Sequence, residues 1–165
     1  MEKSDAEDRF DYVRGLRITV PVSAGLLAIV GAYDDALTDY RPGDPEPIIT
    51  VTAEASLRAI DNGARLANDV VAITYGWASK ITARRDSAVW PVLDLLAGQP
   101  VVNAAILESK LGLDYIRQKR ALDALEEAGI VVGVAKYKKG RLWRAPDMLA
   151  ALDAFAKRAG RRTRR

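Results

Sequence analysis

The stretch VVNAAILESKLGLDYIRQKRALDALEEAGIVVGVAKYKKGRLWRA, residues 101–145, decides the fold. Val102 to Leu111 is expected to form one helix, Gly112-Leu113 a tight turn, and Asp114 the N-cap of a second helix reaching about Ala128. An aspartate suits that place because its carboxylate accepts a backbone N–H left unpaired in the first helical turn. Leu122, Leu125 and Ala128 recur at helical steps that keep an apolar stripe inward, and Gly129 stops the helix. Two short β-rich segments, Ile130–Ala135 and Leu142–Arg144, then flank the basic run Lys136-Tyr137-Lys138-Lys139-Gly140-Arg141. Two helices across a tight turn followed by a β-hairpin read as a winged helix-turn-helix.

Arg117, Lys119 and Arg120 fall in the first two turns of the second helix, the end of a DNA-reading helix that enters the groove first. With Tyr115 and Gln118 they form the expected groove face, while Lys136, Lys138, Lys139 and Arg141 of the wing are placed for flanking phosphates. A hairpin tip that is charged merely because it is solvated is the competing reading of the wing. A winged helix used for protein contact is the competing reading of the whole, and it gains from Tyr115 and Ile116, which are bulkier and more apolar than a groove-reading surface needs.

Charge supports the nucleic-acid reading when the chain is split at its apparent boundary. Residues 1–86 hold 10 Lys and Arg against 14 Asp and Glu, a net of −4; residues 87–165 hold 15 against 8, a net of +7. The basic half points to an anionic partner. Neither cysteine nor histidine occurs, which excludes disulfides and thiolate chemistry and removes the commonest metal ligand and general base. No cofactor is expected. An apolar share of 49% is ample for a core, no apolar run reaches membrane-spanning length, and the acidic start Met1–Asp8 is unlike a secretory signal, so a cytoplasmic location is expected.

Ahead of the winged region, Arg17–Val22 reads as a short extended segment because of Pro21 and its β-branched neighbours. Ser23 caps a helix expected over about Ala24–Tyr40, with Leu26, Leu27, Val30, Tyr33 and Leu37 on one side and Asp34, Asp35 and Asp39 on a solvated face opposite. Arg41–Pro47, with three prolines, is a loop. From Ile48 to Arg84 no proline interrupts, and the pattern predicts one long helix that passes through Asn62-Gly63. Ala53, Leu57, Ile60, Ala64, Ala67, Val71, Thr74, Ala78 and Ile81 form a coiled-coil-like seam along it, and Leu66, Val70, Ile73 and Trp77 a second apolar strip. Arg84–Ser87 is expected to be the hinge between a helical domain, residues 1–86, and the winged domain, residues 87–165. The latter opens with a helix over about Ser87–Ala97 and closes with one from Asp147 to about Ala159 and a basic tail to Arg165.

The blocks Ile18-Thr19-Val20-Pro21-Val22-Ser23-Ala24-Gly25-Leu26-Leu27, Ala32-Tyr33, Ala36–Arg41 and Gly43–Ile48 resemble the part of Fic (Fido) family proteins that follows their catalytic motif. Gln99–Val102, Leu111-Gly112, Arg120–Leu122, Glu127–Ile130 and Leu152–Phe155 are similar to the C-terminal helix-turn-helix of actinobacterial members. Family enzymes transfer AMP with a His-Pro-Phe-x-Asp/Glu-Gly-Asn-Gly-Arg motif. This chain has no histidine, and Asp61-Asn62-Gly63-Ala64-Arg65 matches that motif only superficially, so no catalytic residue carries over. Where relatives of this helix-turn-helix place a small apolar residue, four before Leu122, Gln118 either loosens the core or turns toward a partner.

The expectation is therefore a mainly α protein: a helical hairpin with one long helix, then a winged helix-turn-helix with a short β-hairpin wing. Its expected function is non-catalytic binding of double-stranded DNA in transcription regulation, as a homodimer through the long helix, for which the Leu66, Val70, Ile73 and Trp77 strip is a candidate while the choice between the two strips stays open, with no membrane partner. The alternatives are a module docking on a Fic-type enzyme or toxin, or the C-terminal fragment of a Fic adenylyltransferase. Because the base and the phosphate turn are missing, the purified protein is expected to transfer no label from ATP to candidate proteins; transfer above background would contradict this.

Overall fold

A computed structural model describes residues 22–137 and 140–160, with side chains given outside 135–140. The expected polar start, all but the last residue of the extended Arg17–Val22 segment, and the basic tail lie outside the described residues. In chain order the elements are α1 (Val22–Ala28), α2 (Val30–Tyr40), α3 (Glu46–Lys80), α4 (Val89–Gly98), β1 (Val101–Asn103), α5 (Ala104–Leu111), α6 (Tyr115–Glu127), β2 (Val132–Tyr137), β3 (Gly140–Arg144) and α7 (Pro146–Arg158). The protein is mainly α, with one long helix and a small antiparallel sheet, as expected. No described helix is long and apolar enough to cross a membrane. Packing divides the described residues after Asn68 and again after Ala154: one unit holds 22–68 and 155–160, the other Asp69–Ala154.

In the first unit, the helix expected as one piece over Ala24–Tyr40 is two. Ile29, at φ −131° and ψ 36°, leaves helical geometry between α1 and α2. The apolar periodicity continues across this break, so the pattern alone does not reveal it. α3 begins at Glu46, two residues before Ile48, because the Glu46 N–H donates to Asp44 Oδ1 at 3.0 Å and Pro47 falls in a first turn whose N–H groups need no helical partner.

The core of this unit is made of small residues. Gly25 lies so close to α3 that a Cβ there would meet the Ala55 carbonyl oxygen at 1.9 Å, and Ala36, Val51, Ala55 and Ala59 are buried. The buried line of α3 in this unit thus runs through Val51, Ala55, Ala59 and Asn62, and the first part of the expected seam is turned outward, with Leu57 69% and Ile60 61% exposed, whereas farther along the helix Thr74 is buried and Ile81 packs on the core of the other unit. Size misleads here, because close backbone approach needs Ala and Gly, and the larger side chains are left on the other face. Asn62 continues the helix as expected; it donates to the Phe155 carbonyl at 3.2 Å and accepts from Arg158 Nε at 2.6 Å, which joins α3 to the end of α7.

The second unit takes in the last turns of α3. Trp77 is 1% exposed in a core with Val92, Leu93, Leu96, Leu107, Leu122, Leu125, Ile130 and Met148, and its indole N–H donates to Asp147 Oδ2 at 3.1 Å. Val70 and Ile73 pack on the same core. Of the strip expected to join two copies, Trp77 is thus buried within the chain, Val70 and Ile73 are partly covered by the same core, and Leu66 is half-buried. The expected hinge at Arg84–Ser87 falls inside this unit.

Val102 and Asn103, expected to open the first helix of the helix-turn-helix, belong instead to β1. It pairs with β3 through Val102↔Trp143, which buries Val102 fully, and Asn103 then caps α5 by accepting from the Ile106 N–H at 2.9 Å. The strands stand in the order β1-β3-β2. β2 and β3 make the expected hairpin, with a register shift between Val134 and Tyr137 and the last pair at Tyr137↔Gly140.

Candidate nucleic-acid interface

Two glycines fix α6 at its ends. Gly112, at φ 61°, ends α5 and turns the chain, and its N–H donates to Glu108 O at 2.9 Å. Gly129, at φ 69°, places the Ile130 N–H on Leu125 O at 2.9 Å and its own on Glu126 O at 3.0 Å, so the last carbonyls of α6 are satisfied while Ile130 and Leu125 meet in the core. Asp114 caps the first turn as expected, accepting from the Arg117 N–H at 2.9 Å.

Gln118, Ala121, Leu122 and Leu125 are the buried face of α6. Gln118 is thereby corrected as a DNA-contacting residue: it is 5% exposed, and its Nε2 donates to the Leu113 carbonyl at 2.7 Å, closing the turn between α5 and α6 from inside. An apolar residue there would leave that carbonyl unpaired, which explains a polar side chain in this core.

At about 100° per residue, Ile116 and Arg120 lie opposite this buried face, with Tyr115 and Lys119 toward one edge and Arg117 toward the other. All five are exposed, Tyr115 at 73% and Ile116 at 61%. Lys119 Nζ donates to Asp123 Oδ2 at 2.6 Å, and that bond holds the ammonium pKa above its ordinary value. Arg141 is a brace within the winged unit. Its Nη2 donates to both carboxylate oxygens of Glu126 at 3.1 Å, and its guanidinium lies 5.2 Å from the centre of the Trp143 ring. Gly133 makes room for it, since a Cβ there would meet Arg141 Nη2 at 2.3 Å. Lys136, Lys138 and Lys139 have side chains outside the described residues.

Arg117 and Arg120 also line a cleft of about 410 Å³ against the segment before α4. Its other walls are Ala83, Arg84, Asp86, Ser87, Ala88, Val89, Ala121 and Ala124. Arg84, read in the sequence as part of a hinge, is thus brought to the same face as two expected site residues. The first unit has a cleft of about 430 Å³ of the opposite sign, bordered by Asp35, Asp39, Asp44, Glu46 and Glu54. No group of three or more acidic residues among the described ones is arranged to hold a metal ion. No protein-family model matches the chain, and no curated protein is similar enough to match it.

Proposed function

We propose that residues 69–154 are a DNA-binding winged helix and that the chain is a non-catalytic regulator of transcription. The observation that carries this reading is the order of charge along α6. Its N-terminal half holds Arg117, Lys119 and Arg120, and its C-terminal half Asp123, Glu126 and Glu127. A helix macrodipole is positive at the N-terminus, so both groups stand against it, at a cost of about 0.3–1 kcal/mol for each well-placed charge. Beyond the Lys119–Asp123 pair, helix stability gives no reason for that order, whereas a polyanion approached by the N-terminal half does. Arg120 and Ile116, on the exposed crest, would face base edges, with Tyr115 and Lys119 on the wing side. Selection of bound duplexes from random DNA tests this; a recovered consensus supports sequence-specific reading, and recovery of unenriched DNA contradicts it.

A second reading rests on Tyr115 and Ile116, which form a small exposed apolar patch on the same helix. A protein partner, a Fic-type enzyme among them, would cover it.

We also propose a homodimer, now through the outward seam of α3. Ile49, Leu57 and Ile60 are 64%, 69% and 61% exposed, and Ala53 and Ala64 complete the line. Glu54, Arg58, Asp61 and Arg65 run beside it with alternating sign. Two copies packed antiparallel about a two-fold axis between Ala59 and Ile60 set Arg58 against Asp61, and Glu54 against Arg65, which favours a second copy over an uncharged partner. Light scattering at tens of micromolar should give twice the 18.0 kDa chain mass, and Leu57→Glu with Ile60→Glu should return it to one chain. A wild-type monomer contradicts the dimer.

A further inference from the structure

We propose that Arg84 and Arg117, with Arg120 at the outer lip, form a phosphate-binding cleft that holds a phosphodiester of the duplex backbone beside α6. The proposal rests on the DNA-binding reading above and adds to it a contact from outside the helix-turn-helix.

Three guanidinium groups border one cleft, and only Asp86 among its lining residues is acidic. None of the three makes a side-chain hydrogen bond or ion pair with any described residue. The other exposed cations of this face differ: Lys119 is held by Asp123 and Arg141 by Glu126. Where carboxylates are available on α6, then, neighbouring cations use them, and the arginines at the cleft are left with their donors unspent. A guanidinium presents a planar fork of N–H donors that matches two phosphate oxygens at once.

The position of Arg84 is also fixed before any ligand arrives. Its carbonyl accepts from the Ser87 N–H at 3.0 Å and from Trp90 Nε1 at 2.9 Å, which ties the turn ahead of α4 to the first turn of that helix. On the opposite wall, α6 is capped by Asp114. The floor of Ala88, Ala121 and Ala124 carries no long side chain, so a phosphate can come close to both walls. Because Arg120 belongs both to the cleft lip and to the crest of α6, a duplex read by the crest passes its backbone over the cleft.

Fluorescence anisotropy of a labelled duplex at several salt concentrations tests the assignment on the full chain. Arg84→Gln is expected to lower affinity about fivefold for selected and unrelated sequences alike, and to reduce the slope of log K against log salt by about 1. Arg41→Gln, which removes the same charge from an exposed loop of the first unit, is expected to leave both unchanged. If wild-type protein binds duplex and Arg84→Gln matches it in affinity and slope, the cleft is overturned while the DNA-binding reading stands. An Arg84→Gln effect restricted to the selected sequence would overturn the backbone assignment, since a base contact would explain it. If added inorganic phosphate shifts the melting temperature of wild type but not of Arg84→Gln, and duplex binding is unaffected by the substitution, the cleft takes a free phosphate and the proposal fails. Absence of any duplex binding by wild type at low salt would remove the DNA-binding reading, and this proposal with it.

Discussion

Trp77→Ala is expected to destabilise the winged unit by about 3–5 kcal/mol, the range for truncating a large buried aromatic side chain. Trp77 is one of the largest fully buried side chains, and its removal leaves a cavity among Leu93, Leu96, Met148 and their neighbours. The lost hydrogen bond to Asp147 adds little, because that residue is exposed and its carboxylate regains water. Denaturant unfolding followed by the fluorescence of Trp90 and Trp143 measures the effect. A loss below about 1 kcal/mol would mean that the end of α3 is a connector rather than a part of this core. With total stabilities of about 5–15 kcal/mol, the predicted loss is enough to populate unfolded protein at moderate temperature.

The second large effect is expected from Arg120→Ala. As the one cation on the crest of α6 without a carboxylate partner among the described residues, Arg120 should cost about 1–3 kcal/mol in affinity for the selected duplex and blur preference at one position of the site. Arg84→Gln, in contrast, should weaken all duplexes to a similar degree. Competition titrations against duplexes changed one base pair at a time separate the two. Equal losses on every duplex for Arg120→Ala would move that residue from base edges to backbone.

Much of the winged unit could be read from its sequence because each boundary there has a local chemical mark. Asp114 before the basic run, Gly112 and Gly129 at helix ends, and the leucines at 122 and 125 each state one requirement, and the structure meets all of them. β1 escaped because three residues are too few for an alternating pattern, and the strand exists only through its pairing with β3, some forty residues later. The buried face of α3 is masked in the sequence for a different reason. Hydrophobic periodicity weights Leu57 and Ile60 above Ala55 and Ala59, but in a unit whose helices touch at Gly25 the small residues form the contact. Trp77 and Gln118 show the same limit from the other side. Nothing local says that one is covered by α4 and α7, or that the other points inward to a carbonyl five residues back.

Arg84 was hidden because its signal is tertiary. A pair of arginines before a helix is unremarkable in sequence, and it gains meaning only when the turn at Ser87 brings Arg84 to the wall opposite Arg117.

Binding of duplex DNA by the face of α6 is tested by the affinity of the full chain for a duplex as salt is raised. Saturable binding is expected at low salt, with a linear fall of log K with log salt whose slope is about −0.9 for each phosphate contacted. Absence of saturable binding at low salt, or an affinity unchanged by salt, would contradict it.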